Sequence, residues 1–518
     1  MIGKRRSYNE KNNHDSRKEI LIKTRLETNI QYVKKVLGNS GDIIIREINL
    51  GKQGEIRAAI IYTDGLTDTK SIQHFMETLM FDFNDEQLES NKLSKSSLLD
   101  YLKSFVLTVG EIQDVNDFDS LFTYLLSGNV IFLLDGYTKG IVIGLKGWRD
   151  RGVTESSSES VIRGPKEAFS ENLRTNTALI RRKIKDPDLW LENKVIGRVT
   201  KTNVALMYIK GIAKDDLVQE VRERLEKIDI DSILESGYIE ELIQDNTLTP
   251  FPTIYNSERP DVVASLLLEG RVAIVVDGTP FVLVAPALFV QFFQAAEDYY
   301  ERADISSFLR FLRFCCFLIA LLVPSLYIAL TTFHHEMILP NLLFSLLAQR
   351  EGVPFPAFVE VLLMEIAFEI LREAGIRMPR AVGSAITIVG TLVIGQAAVQ
   401  AGIVSAFLII VVSITAISSF VLPAPNMSIS VRLLRFPMIG LASFYGLFGI
   451  FVGVIALVLH LSSLRSFGVP YMSSFAPISL DEQRDTLIRL PHWALSTRPK
   501  PLTNNRVREQ TPAPRPPK

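Results

Sequence analysis

The chain has 518 residues, is 47 % hydrophobic and 22 % charged, and sets 56 Lys and Arg against 57 Asp and Glu for a formal net charge of −1. That balance leaves no basic excess to hold a nucleic acid, so no nucleic-acid partner is expected. The length calls for several domains, and so much charge beside so much apolar content implies that the two are segregated along the chain.

Residues 1–18 are polar and charged without periodicity and read as a disordered arm. No apolar stretch follows the basic start, so no secretory leader is expected and the hydrophilic region is placed in the cytosol. An amphipathic helix is predicted over Lys18 to Leu37, with Ile20, Leu21, Ile30, Val33 and Leu37 as its apolar positions.

The chain then repeats itself. Ala58-Ala-Ile-Ile-Tyr-Thr-Asp-Gly65 precedes a helix starting near Asp68, and Asn129-Val-Ile-Phe-Leu-Leu-Asp-Gly136 and the apolar Gly140 to Gly144 follow. The same order returns as Val204 to Gly211, a helix over Asp215 to Ile228, Arg271-Val-Ala-Ile-Val-Val-Asp-Gly278, and Phe281 to Ala285. Two cytosolic α+β subdomains related by apparent duplication are therefore predicted, over 19–148 and 171–302, joined by a polar linker over 149–170. Asp135-Gly136 and Asp277-Gly278 are read as turns that need positive φ rather than as metal ligands. A predicted helix over Asn172 to Lys185 carries Arg174, Arg181 and Arg182. They form either a solvated basic face or a contact for a partner or anionic headgroups.

Ala287 to Arg302 reads as a helical connector at the membrane surface, with Tyr299 and Tyr300 near headgroup level. Beyond it lies a multi-pass α-helical membrane domain, 303–465, with four or five spans. Phe314 to Phe333 is about 20 residues without a charge, preceded by Arg310 and Arg313 and kinked by Pro324. Its adjacent Cys315 and Cys316 are small apolar side chains rather than a disulfide or metal pair, and His334-His335 reads as a polar flank. Ala381 to Val431 lacks Asp, Glu, Lys and Arg over about 51 residues, enough for two helices with a turn at Gln400 to Gly402. The first of these is rich in small residues that allow close packing or oligomer contact. Phe436 to Leu459 supplies a further span.

The segment Phe355 to Leu371 is apolar but interrupted by Glu360, Glu365 and Glu369. A carboxylate in lipid costs about 3 kcal/mol on insertion scales. The segment is either an amphipathic surface helix with Glu369 pairing Arg372, or a buried helix whose carboxylates face a water-filled cation path. Four crossings place the C-terminus in the cytosol and five place it outside. Residues 466–518 form a tail, Pro-rich and disordered from Pro499. No HExxH, CxxC, P-loop or GxSxG motif occurs, so neither an enzyme nor a cofactor is expected. A transporter or channel and a membrane scaffold are the classes left.

Several segments carry a resemblance: Arg163-Gly-Pro165 with Glu171 to Lys183, Gly270 to Gly278, Phe293-Gln-Ala-Ala-Glu-Asp-Tyr-Tyr300, and Glu373-Ala-Gly-Ile-Arg-Met-Pro-Arg380 running into Ile394 to Gly402. Together they span about Asp42 to Leu480, and the chain resembles the A subunits of nutrient germinant receptors, the GerA family of spore germination proteins. The resemblance implies a place in the spore inner membrane, with the N-terminal region on the core side. It also implies work with membrane lipid, a transporter-like B subunit and a lipoprotein C subunit, and assembly into a homo-oligomeric ring that passes monovalent cations once a nutrient is sensed. Accessory channels of the sporulation stage V AF type are the nearest alternative, and a non-conducting scaffold is the alternative of a different class.

Overall fold

A computed structural model describes residues 20–50, 56–82, 111–147, 159, 161–378, 393–477, 482–505 and 507–508. The arm expected over 1–18, half of the linker, the start of the apolar run at Ala381 and the end of the Pro-rich tail lie outside them. The chain divides into two compact units. One holds residues 1–156, 167–239 and 257–283; the other holds 157–166, 240–256 and 284–518.

The first unit opens with α1 (Leu26–Val36), β1 (Ile43–Leu50), β2 (Ile56–Thr63), α2 (Thr69–Asp82), β3 (Ile112–Val115), α3 (Phe118–Leu126), β4 (Val130–Leu134) and β5 (Gly140–Ile143). The five strands form one antiparallel sheet in the order β1-β2-β4-β5-β3. Side chains alternate across a strand. Ala58, Ile60 and Tyr62 accordingly meet Ile72, Phe75 and Leu79 of α2 on one face. Ala59 and Ile61 meet Ile30 and Val33 of α1 and Leu121 and Leu125 of α3 on the other. Covering both faces makes β4 apolar throughout; each such side chain contributes about 1.5–3 kcal/mol by leaving water.

The same series follows as α4 (Leu173–Lys183), β6 (Leu189–Ile196), β7 (Thr202–Ile209), α5 (Asp215–Glu226), α6 (Ser236–Ile243), β8 (Tyr255–Ser257), α7 (Pro260–Leu268), β9 (Val272–Val276) and β10 (Val282–Ala285), with the strand order β6-β7-β9-β10-β8. Several bonds recur at equivalent places in the two series. Leu26 N donates to Asp135 Oδ1 at 2.8 Å, as Leu173 N does to Asp277 Oδ1 at 3.0 Å. Gly136 N donates to Thr24 O and Gly278 N to Glu171 O. Asn29 bonds both the N–H and the carbonyl of Lys23, as Asn176 does those of Ser170. The Asp-Gly pairs do turn through positive φ, 86° and 92°, but their carboxylates also cap the opening helix of each series from more than a hundred residues away. That cap sets where α1 begins. Ile20 and Leu21, expected on the helix, precede it and are exposed.

In the second unit the expected helical connector is two short 3-10 turns, Phe289–Phe293 and Ala296–Tyr299. The helices of this unit are α8 (Ala303–Thr332), α9 (Pro340–Arg350), α10 (Ala357–Arg377), α11 (Ala406–Phe420) and α12 (Pro425–Ser463). Among the described residues, α8 and α12 are long and apolar enough to cross a bilayer. Yet α12 is broken at Gly446, at φ 58° and ψ −138°. A Cβ placed on Gly453 would lie 2.5 Å from Met438 Sδ, whereas a straight helix separates those residues by about 22 Å. The expected single span from Phe436 to Leu459 is therefore a helical hairpin. Its turn at Gly446 lies against Phe333 and His334, and a glycine is required because a Cβ there would sit 2.8 Å from His334 Cε1.

Both hairpin legs return to one loop: Ser430 Oγ donates to Pro250 O, and His460 Nε2 lies 2.9 Å from Thr249 Oγ1. After the hairpin, β11 (Arg465–Ser466) and β12 (Val469–Pro470) pair around Phe467 and Gly468, both at positive φ. Farther along, Thr497 forms an antiparallel bridge with Val507.

Candidate functional site

The three glutamates singled out by the sequence lie along α10, and the structure pairs each with an arginine. Glu360 is wholly buried; its Oε1 lies 3.4 Å from Arg350 Nε, and its Oε2 accepts from Ser405 N at 3.2 Å. Glu365, also buried, accepts from Arg435 Nη1 at 2.5 Å through Oε2. Glu369 accepts from Arg432 Nη1 at 2.6 Å and stays partly exposed. Rising numbers on α10 meet falling numbers on α12, so the two helices run antiparallel across a two-rung ladder.

Glu369 pairs with Arg432 on another helix, where the amphipathic reading expected Arg372. Arg372 instead donates to Ser419 Oγ at 2.8 Å and lies over the Phe420 ring at 4.3 Å. Glu360 and Glu365 are buried with counter-charges, which offsets part of the cost of taking a carboxylate out of water.

Arg435 does more than neutralise Glu365. Pro324 has no N–H, so the Ala320 carbonyl one turn earlier in α8 loses its helical partner. Arg435 Nε donates to that carbonyl at 2.8 Å. One guanidinium thus joins three helices. The sequence marked Pro324 as a kink but nothing local tied it to Arg435. A usable signal existed in Arg432 and Arg435, the two charges beside an otherwise uncharged apolar stretch.

A second charged cluster closes the start of α8. Buried Asp298 binds Arg313 Nη1 through both oxygens at 2.8 Å and Arg310 Nε at 3.2 Å. Arg310 also donates to the carboxylate and the carbonyl of Asp485 at 2.9 and 2.7 Å. Tyr299, expected near headgroups, donates its hydroxyl to Asp485 Oδ2 at 2.9 Å.

The basic helix of the first unit corrects the sequence reading at one position. Arg181 is fully buried and bidentate on Asp42, with Nε to Oδ2 at 2.7 Å and Nη2 to Oδ1 at 3.0 Å, and it also donates to Leu189 O. It binds the two α+β series to each other, so it is closed to partners and headgroups. Arg174, half exposed, pairs with Asp64 and donates to Thr69 Oγ1. Arg182 is half buried. Burial pushes the Asp64 carboxyl above the usual range, and Arg174 offsets only part of that. A cleft of about 270 Å³ opens here, lined by Asp42, Asp64, Asn172, Arg174 and Asp277 among others. Each of these carboxylates already holds an arginine or a helix N-terminus. Among the described residues, no group of three or more His, Cys, Asp or Glu is placed to hold a metal.

The family model for the Bacillus/Clostridium GerA spore germination protein matches residues 31–501. Spore germination protein KA of Bacillus subtilis (strain 168) is 50 % identical over 496 residues, 96 % of this chain and 90 % of that one. Spore germination protein GerLA of Bacillus cereus is 39 % identical over 471 residues, 91 % of this chain and 94 % of that one. A crystal structure of the N-terminal domain of the A subunit of the Bacillus megaterium spore germinant receptor GerK3 is 45 % identical, covers 53 % of this chain and 100 % of that one, and superposes with a TM-score of 0.43.

Proposed function

This chain belongs to the Bacillus/Clostridium GerA spore germination protein family, and from that membership we infer that it is the A subunit of a nutrient germinant receptor that conducts monovalent cations when the nutrient is bound. The observation that carries this reading is the likeness to spore germination protein KA over 96 % of the chain. Its partners are a transporter-like B subunit, a lipoprotein C subunit, membrane lipid and further copies of itself in a ring. The two α+β series arose by duplication, a reading supported by their common strand order and matched caps.

The membrane domain is multi-pass and sits in the spore inner membrane. Counting each leg of the broken α12 separately turns the five-crossing reading, in which α10 also crosses, into six, and this supports an even number. Both termini then face the spore core. Supporting this, Tyr471 donates to Pro252 O, Ser466 to Thr253 O, and Asp485 binds Arg310, so the chain beyond the hairpin meets residues that precede α8 or begin it.

A non-conducting scaffold is the second reading, favoured by one observation: all three glutamates of α10 already have counter-charges. Liposomes loaded with potassium and carrying the assembled receptor separate the two. Efflux on adding one member of a panel of amino acids, sugars and nucleosides is expected. A complex that binds its nutrient and releases no potassium is the scaffold.

A further inference from the structure

The guanidinium of Arg435 fills a place lined by two oxygens of different origin: the Ala320 carbonyl, freed by Pro324, and the Glu365 carboxylate. Both Arg435 and Glu365 are buried, at 2 % and 1 % side-chain exposure. A main-chain carbonyl and a carboxylate on either side of one buried guanidinium are oxygens of the kind an alkali cation takes in place of its water. Here the spot is taken by the protein's own cation.

We propose that Ala320 O and Glu365 form a monovalent-cation site that Arg435 masks in this conformation, and that withdrawing Arg435 on the hairpin exposes it. The inference rests on the reading of the chain as a conducting subunit. Three features of the fold support it. Arg435 sits on the first leg of a hairpin broken at Gly446, so its withdrawal moves α12 and leaves the two oxygens in place on α8 and α10. Arg432 and Glu369 form the neighbouring rung, partly exposed and closer to solvent, so the ladder has an end from which water and ions can enter. The carbonyl is available only because residue 324 is proline; any other residue there would return an N–H to Ala320.

Two measurements test this in the full receptor. In spores without nutrient, Arg435→Gln should leak potassium at least tenfold faster than wild type at equal protein level. Adding Pro324→Ala, which takes the carbonyl back into the helix, or Glu365→Gln, which removes the charge, should each reduce that leak several-fold. A merely structural arginine predicts otherwise, since stacking further substitutions on R435Q would then deepen the defect. If R435Q does not accumulate, Arg435→Lys keeps the charge but cannot reach both oxygens, and an intermediate leak is expected.

The second measurement needs no conduction. Purified receptor carrying R435Q, or R435K in its place, should melt several degrees higher in potassium than in choline, while wild type is indifferent. Potassium-dependent melting of the variant with no leak would sink the conducting role and leave the site standing. A variant at normal level that neither leaks nor responds to potassium overturns the site.

Discussion

Arg181 and Asp42 lie 139 residues apart in sequence and meet with both partners dry. Breaking such a pair strands a buried charge, so Arg181→Ala should destabilise the chain by about 3–5 kcal/mol. Replacing both with apolar residues of similar volume, Arg181→Met with Asp42→Leu, should cost far less. Urea unfolding of the full chain in detergent, followed by Trp fluorescence, checks both variants; a milder loss for R181A than for the double variant would contradict the pairing. In the sequence, Arg181 looks like its neighbours in a basic run, because nothing local says which arginine turns inward. That is decided by a carboxylate in the other α+β series. The Asp-Gly pairs were legible as turns for the opposite reason: turn geometry is local. Their second role as helix caps depends on distant packing and was not legible.

At the level of elements, hydrophobic periodicity placed the central strands of both sheets within a residue or two. Apolar runs flanked by Asp-Gly have one stable solution in a sheet covered on both faces. The same reasoning failed at α12, where composition is uniformly apolar on both sides of Gly446 and length alone suggested one span. Gly446→Val should cost about 1–3 kcal/mol through the backbone alone, with the clash against His334 added. Limited proteolysis of the purified chain in detergent should show faster cleavage near the hairpin than in wild type; unchanged protection would mean the break is not fixed.

The pairing of β6, β7 and α5 is also sensitive to acid. Burial alone would raise the Glu192 carboxyl, but hydrogen bonds from Arg222 and Tyr208 outweigh it and hold it below the usual range. A depressed carboxyl contributes stability above its unfolded value of about 4.5, and that contribution is lost as pH falls through the lower folded value. Glu192→Gln should therefore lose less of its urea midpoint than wild type when the pH falls from about 7 to about 3.5. An equal loss in both would remove Glu192 from the account.

For the whole molecule, the sequence separated a hydrophilic half from an apolar half, because segregated charge and hydrophobicity survive any detail of packing. The side of the C-terminus stayed open because the count of crossings turns on one glycine and on whether Glu360, Glu365 and Glu369 have partners. Those partners come from the last residue of α9 and from a helix more than sixty residues away in sequence. The even count proposed here predicts that protease added to inverted membrane vesicles, whose core side faces outward, removes an epitope tag from either terminus. Protection of one tag alone would contradict the even count.

The most direct test of the central claim is potassium release from spores lacking this chain, challenged separately with each nutrient of a panel. The account predicts that the response to one nutrient disappears while the others persist at wild-type rates. A uniform slowing of every response, with none lost, would contradict a receptor subunit with its own specificity and identify an accessory channel instead.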